Sequence, residues 1–279
     1  MKIATNILKF IFILILTLCI IILIASKICT STILSEQYIK DKLEETDYYT
    51  EIYNIVESNL ENYIGQSGLD EEVFKNIITK EKVKEDTNKI IENIYENKEQ
   101  EINADEIKTN LNNNIVKSLN GKSLSSTQKN ALNEYLDKIA NEYTSTILHT
   151  KYEKNISNKM LTVNDVLPKV NKFCMLLATI SLVMLLIFNI KEIEGLISQI
   201  GVSILTPGIF YFILYTFINK KVKVNNLTIF NEAFSKTAVN ILNEILNNIQ
   251  KLSSELIICG LVMIIVGTFI KSTKANENK

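Results

Sequence analysis

Apolar residues are distributed along this chain in two different patterns. Four stretches contain no charged residue: 10–26, 173–190, 195–219 and 256–270, which are 17, 18, 25 and 15 residues long. A helix rises about 1.5 Å per residue, so it needs about 20 apolar residues to cross a hydrocarbon layer of about 30 Å. With flanking residues added, the four stretches predict four transmembrane helices, and a wholly soluble protein is excluded.

The long segment between the first two stretches has a different pattern, in which apolar residues recur every three or four positions. This spacing predicts amphipathic helices that pack on one another. The four predicted stripes are Ile52, Val56, Leu60 and Ile64; Val83, Thr87, Ile90 and Ile94; Ile107, Leu111, Ile115 and Leu119; and Leu132, Leu136, Ile139, Tyr143 and Ile147. Asn103 with Glu106, and Ser125 with Gln128, have the spacing of capping boxes at helix starts.

These patterns predict an all-α fold with four transmembrane helices and a large helical extracytoplasmic domain inserted between the first and the second. The predicted domains are an N-terminal transmembrane anchor (1–27), the helical domain (28–168) and a three-helix membrane region (169–279). The membrane region includes an extracytoplasmic amphipathic helix at about 229–255.

That amphipathic helix carries an apolar seam that runs into the fourth span. Its residues alternate spacings of four and three, which predicts one long helix from about 229 to 270. Leu242, Ile245, Ile249 and Leu252 form the part of this seam outside the membrane. We expect this interaction stripe to pack on the helical domain or on a second copy of the chain.

Charge narrows the choice of partners. Between residues 36 and 166 there are 16 Lys against 25 Asp and Glu, a net charge of −9. Such a domain is a poor ligand for nucleic acid or for an anionic membrane surface, so a cationic partner is expected. One such partner is internal, because residues 219–255 carry 5 Lys against 3 Glu.

The lysines next to the spans give conflicting signals about orientation. Lys2 and Lys9 favour a cytoplasmic N-terminus, and Lys271, Lys274 and Lys279 favour a cytoplasmic C-terminus. Both termini are predicted to be cytoplasmic because the first helix usually dominates. The lysines that oppose this orientation are Lys27, Lys169, Lys172, Lys220, Lys221 and Lys223. The first span is predicted to be an uncleaved signal anchor, and a cleavable signal peptide is the alternative.

The sequence contains little that indicates enzymatic chemistry. His149 is the only histidine, and there is no CxxC pair and no glycine-rich phosphate loop. We therefore predict no catalytic residue, no cofactor and no metal site. A Cys29–Cys174 bridge is geometrically conceivable, but the favoured interpretation is that all four cysteines are small buried thiols.

The third and fourth spans contain helix-packing signals. Pro207 and Gly208 lie at mid-depth in the third span, and Gly201–Gly208 and Gly260–Gly267 are each seven residues apart. Small residues one heptad apart lie on one helix face and permit close approach of a neighbouring helix. We predict a kink with tight packing there, and the alternative is a substrate site or gate at the broken helix.

The layout of one N-terminal anchor, a helical insertion and three further spans resembles uncharacterised multi-pass membrane proteins of AT-rich Gram-positive bacteria. The resemblance lies in the layout alone and implies no site residue. The sequence thus predicts a non-enzymatic integral membrane protein whose acidic outer domain binds a protein or envelope component, as an anchor, scaffold, accessory subunit or sensor. The alternatives are a permease or channel component that uses the kinked third span, and an envelope enzyme with an unrecognised site.

Overall fold

The computed structural model describes residues 2–67, 69–99, 102–120, 123–148, 150–221 and 231–277. Within these ranges every regular element is helical, which confirms the all-α fold. The elements are α1 (Lys2–Ser31), α2 (Glu36–Glu45), α3 (Tyr48–Ser67), a short 3-10 helix (Glu71–Phe74), α4 (Lys80–Glu96), α5 (Asp105–Ser118), α6 (Ser126–Ile147), α7 (Thr150–Phe188), α8 (Ile193–Lys221) and α9 (Glu232–Glu277).

Four helices are long and apolar enough to cross a membrane. The segments with this property are Ile3–Ser31, Ile156–Phe188, Ile193–Lys221 and Glu232–Asn276. Three of them contain a whole charge-free stretch, and the second contains all but the last two residues of the stretch 173–190. The prediction of a multi-pass membrane protein is therefore confirmed. The last segment belongs to α9, a single helix of 46 residues, as the continuous apolar seam predicted.

The chain forms two compact units. The membrane unit consists of Met1–Ser35, Val163–Ile229 and Ala238–Lys279, and the helical unit consists of Glu36–Thr162 and Phe230–Thr237. The long helices α7 and α9 therefore each contribute residues to both units. The first residues of α9 belong to the helical unit although they are almost 70 residues beyond its main segment.

The core of the helical unit is built from the predicted stripes. Ile107 and Leu111 of α5 and Ile139 and Tyr143 of α6 are completely buried. Ile52, Val56, Leu60, Val83 and Ile90 join the same cluster, which confirms the assignment of these faces. The capping box of Ser125 and Gln128 is present at the start of α6.

The capping box predicted for Asn103 and Glu106 is wrong. The N-cap of α5 is Ala104, which makes no side-chain cap hydrogen bond. The Asn103 side chain instead accepts a hydrogen bond from the Asp105 backbone N–H, two residues later, at 2.8 Å. An asparagine side chain can satisfy its own backbone locally in this way, so it forms a turn before the helix instead of a reciprocal cap.

Candidate functional site

Helices α8 and α9 approach each other at two of the four predicted glycines. A Cβ atom added to Gly260 would lie 2.6 Å from the Leu205 backbone nitrogen and 2.8 Å from the Gly201 carbonyl oxygen. A Cβ atom on Gly201 would lie 2.9 Å from the Gly260 carbonyl oxygen. Real Cβ atoms do not come this close to backbone atoms, so at this contact only glycine permits the observed helix separation.

The other two glycines extend this contact in both directions. A Cβ atom on Gly208 would lie 2.9 Å from the Ile257 backbone nitrogen, and one on Gly267 would lie 2.7 Å from the Glu194 carbonyl oxygen. Pro207, which is inside α8 next to Gly208, is almost fully buried. The backbone beside Pro207 is thus packed against α9, and the space next to Gly208 is filled by protein atoms.

Polar side chains connect the helices of the membrane unit at one end. The Lys9 ammonium group donates a hydrogen bond to Asn189 Oδ1 at 2.7 Å, and Asn189 Nδ2 donates to Gln199 Oε1 at 2.8 Å. Glu194, at the start of α8, pairs with Lys274, near the end of α9, at 2.8 Å. The ionisable residues among these, Lys9, Glu194 and Lys274, lie outside the charge-free stretches. Asn189 and Gln199 lie inside such stretches, near one end, and are uncharged.

Further contacts join α1 to α7 and α8 elsewhere in the membrane unit. Asn171 Nδ2 donates to Ser26 Oγ at 2.6 Å, and the Tyr211 hydroxyl donates to the Ile21 carbonyl oxygen at 2.6 Å. The free thiols of Cys19, on α1, and Cys174, on α7, are both buried. The predicted burial holds for these two thiols. Cys29 is only partly covered and Cys259 is exposed, so for the latter the prediction of a buried thiol is wrong.

The predicted interaction stripe of α9 is covered to different degrees. Ile249 is buried, whereas Leu242, Ile245 and Leu252 are half-buried. Leu246, which the heptad spacing left out, is also buried. The buried face of α9 therefore includes Leu246, which lies beside the predicted interaction stripe.

The beginning of α9 is fixed in the helical unit by one apolar and two polar contacts. Ala233 is buried in the core of the unit. The hydroxyl groups of Thr237 and Thr46 are 2.6 Å apart in a buried hydrogen bond, and Lys236 pairs with Glu51 at 2.6 Å. This attachment was not located by the sequence pattern, which placed the apolar seam further along the helix.

An open groove of about 700 Å³ lies on the surface of the helical unit, between α3 and the segment that contains the 3-10 helix. Leu60 and Phe74, which are buried, contribute to its apolar floor together with Ile77 and Ile78. The remaining lining residues are Tyr53, Glu57, Glu61, Glu71, Lys75 and Asn76. The groove therefore combines an apolar floor with a rim that carries three carboxylates.

The electrostatics of this groove are dominated by its carboxylates. Glu57, Glu61 and Glu71 are exposed, and across the described ranges none of them pairs with a lysine side chain. The single lysine of the rim, Lys75, is paired with Glu72. The Tyr53 hydroxyl donates a hydrogen bond to Glu57, which raises the pKa of Tyr53 to about 12. Tyr53 is consequently neutral at physiological pH, so the groove has a negative net charge.

A buried polar cluster in the core of the helical unit has a structural role. Asp86 accepts a hydrogen bond from the Tyr143 hydroxyl at 2.6 Å and one from the Lys82 ammonium group at 2.9 Å. Burial raises the pKa of the Tyr143 hydroxyl, and the bond to Asp86 raises it further. Both carboxylate oxygens have partners and Tyr143 is not accessible, so this cluster stabilises the core and offers no open site for a ligand.

Within the described ranges no three His, Cys, Asp or Glu side chains are grouped so that they could hold a metal ion. His149 lies outside the described residues. No family model, curated protein or solved structure matches the chain.

Proposed function

We propose that this chain is a non-enzymatic, multi-pass membrane protein whose helical unit is extracytoplasmic and binds a basic partner, as an anchor, scaffold, accessory subunit or sensor. The observation that carries this proposal is the attachment of a compact acidic unit with its own core to four membrane-length helices. A solvated unit with a strong negative charge attracts cationic proteins and disfavours nucleic acid.

Both termini are proposed to be cytoplasmic. The start of α1, the turn between α7 and α8 and the end of α9 meet at one end of the membrane unit, through the Lys9–Asn189 and Glu194–Lys274 contacts. Lys191 and Lys271 add positive charge close to these contacts in the sequence. Lysines at the other end oppose this orientation, but those beside the first helix usually dominate, so the end that contains Lys2 and Lys9 is proposed to be cytoplasmic.

The alternative is a permease or channel component, and the observation that motivates it is Pro207 inside α8. The packing beside Pro207 favours the binding function over this alternative, because Gly208 is in close contact with the α9 backbone. Flux through proteoliposomes that is abolished by Pro207→Leu would favour transport. Flux that is absent from the wild-type protein would leave the binding function as the better account.

Site-specific photo-crosslinking of the full-length chain in cells tests the proposed function. A photoreactive amino acid is placed at Glu61 or Asn133 in the helical unit, and at Val262 in the membrane unit as the control; all three side chains are exposed. We expect a discrete adduct with one other protein from at least one position of the helical unit. Adducts that form only from Val262 would contradict a binding role for the helical unit.

A further inference from the structure

The groove on the helical unit brings three uncompensated carboxylates together around an apolar floor. Elsewhere on the described part of the unit some glutamates are paired with lysines, as in Lys84–Glu44 at 2.6 Å and Lys40–Glu92 at 2.7 Å. Others, such as Glu85, Glu99 and Glu134, are exposed without a lysine partner among the described residues but do not line the groove. In the groove, the three carboxylates of Glu57, Glu61 and Glu71 have no such lysine partner in the described part of the chain. Their charge is available to a ligand.

The shape of the groove limits what can occupy it. Glu57 and Glu61 are one helical turn apart on α3, and Glu71 comes from the 3-10 helix, so the carboxylates belong to two different elements of the rim. Between these elements the floor contains Leu60, Phe74 and Ile77. A hydrated metal ion would use only the carboxylates, whereas a peptide with both basic and apolar side chains would use the rim and the floor.

We propose that this groove binds a short basic segment of a partner protein, with lysine or arginine side chains on Glu57, Glu61 and Glu71 and one large apolar side chain on the floor. This inference rests on the proposed binding function and adds the site and the class of ligand. Charge complementarity selects the occupant, because the rim is acidic and its only lysine is already paired. Tyr53 contributes an aromatic wall on which an arginine or lysine can lie.

Binding of a defined probe to the purified full-length protein tests the proposal. The probe is a fluorescent 12-residue peptide with six lysines and one phenylalanine, and its anisotropy is followed in detergent solution of low salt. The triple variant Glu57→Gln, Glu61→Gln, Glu71→Gln is expected to raise the Kd at least tenfold, which corresponds to about 1.4 kcal/mol. The matched control Glu85→Gln, Glu99→Gln, Glu134→Gln removes the same charge from exposed positions outside the groove and should raise the Kd less than about threefold.

A second pair of variants tests the same site by a gain of affinity. Lys75→Glu adds negative charge to the rim and should lower the Kd, whereas Lys98→Glu should leave it nearly unchanged. The two lysines are closely matched, because their side chains are 64% and 65% exposed and each is paired with a neighbouring glutamate. A far-ultraviolet circular dichroism spectrum of each variant reports whether the helices are intact.

The possible outcomes separate this proposal from the proposed function. Equal loss of binding in the groove variant and its control would show that only the overall charge attracts the peptide, and that result overturns the groove as the site. Absence of saturable peptide binding to the wild-type protein overturns the ligand class. In each of these cases, photo-crosslinked adducts from Asn133 would still support a binding function located on another face.

Discussion

The two units of this protein use the same secondary structure with opposite distributions of apolar side chains. In the helical unit, large apolar residues are buried in one cluster, for example Ile107 and Leu111 at 0% exposure. In the membrane unit, many large apolar residues point outward, as with Phe173 at 60% and Ile265 at 63% exposure, and the buried apolar cluster is small, formed by Leu16, Leu185 and Leu196. The residues buried between its helices include small ones such as Ser203 and Gly260.

This difference identifies the forces that hold each unit together. Burial of apolar area drives the packing of helices in water, but lipid chains are as apolar as leucine, so helices in a membrane associate through close van der Waals contact and hydrogen bonds. The membrane unit has both, in the glycine contact between α8 and α9 and in the Asn171–Ser26 hydrogen bond. Matched substitutions in the two units therefore test whether these forces differ.

The largest difference is expected for truncation of a leucine. Leu111→Ala in the helical unit removes a completely buried side chain and should lower the free energy of unfolding by about 3–5 kcal/mol. Leu186→Ala on α7, where the leucine is 53% exposed, should change it by less than about 0.5 kcal/mol. Unfolding of the full-length protein in sodium dodecyl sulfate can be followed by helix content, which reports on both units, and by tyrosine fluorescence, which reports mainly on the helical unit because nine of the 11 tyrosines lie between residues 38 and 152. Equal effects of the two substitutions would refute the contrast.

The next largest effect is expected when an exposed valine becomes a lysine. Val116 in the helical unit and Val262 in the membrane unit are both 53% exposed. Val262→Lys should disfavour membrane insertion of α9 by about 3 kcal/mol, whereas Val116→Lys should be tolerated. Labelling of Asn276→Cys at the end of α9 by a membrane-impermeant maleimide in intact cells, with the native cysteines replaced, measures whether α9 has inserted. Equal protection of Asn276→Cys with and without Val262→Lys would place this face of α9 away from lipid.

A smaller effect is expected at the glycine contact. Gly260→Ala places a Cβ atom 2.6 Å from a backbone nitrogen, and the resulting separation of α8 and α9 should cost about 2 kcal/mol. In Gly195→Ala the nearest atom is the Asn189 side-chain oxygen at 3.2 Å, so the cost of crowding is offset by the better helix propensity of alanine. Unfolding in increasing concentrations of sodium dodecyl sulfate, followed by helix content, compares the two. Gly260→Ala as stable as wild type would contradict the close backbone contact.

The sequence was sufficient to predict the four spans and helices α3 to α6 because their patterns are local, whereas α2 and the short 3-10 helix were not predicted. Charge-free runs located the four spans, and three- and four-residue spacing located the buried faces of α5 and α6. The helices extend further than the runs, however. Helix α7 begins at Thr150, more than 20 residues before the apolar run at 173, because charged residues are compatible with a helix outside the hydrocarbon layer.

Contacts between distant residues could not be predicted from such patterns. The Thr237–Thr46 hydrogen bond joins residues 191 positions apart, and neither threonine stands out in the sequence. The groove is a similar case. The spacing of Glu57 and Glu61 places them on one face of α3, but Glu71 and Phe74 join them only because the 3-10 segment packs beside that helix.

The proposed orientation, with the helical unit on the extracytoplasmic side and both termini in the cytoplasm, is tested by single-cysteine labelling in intact cells. After replacement of Cys19, Cys29, Cys174 and Cys259, one cysteine is introduced at Asn133 on α6 or at Lys191 in the turn between α7 and α8, both of which are exposed. We expect a membrane-impermeant maleimide to label Asn133→Cys in intact cells and Lys191→Cys only after lysis. Labelling of Lys191→Cys in intact cells, with Asn133→Cys protected until lysis, would place the helical unit in the cytoplasm and contradict the account.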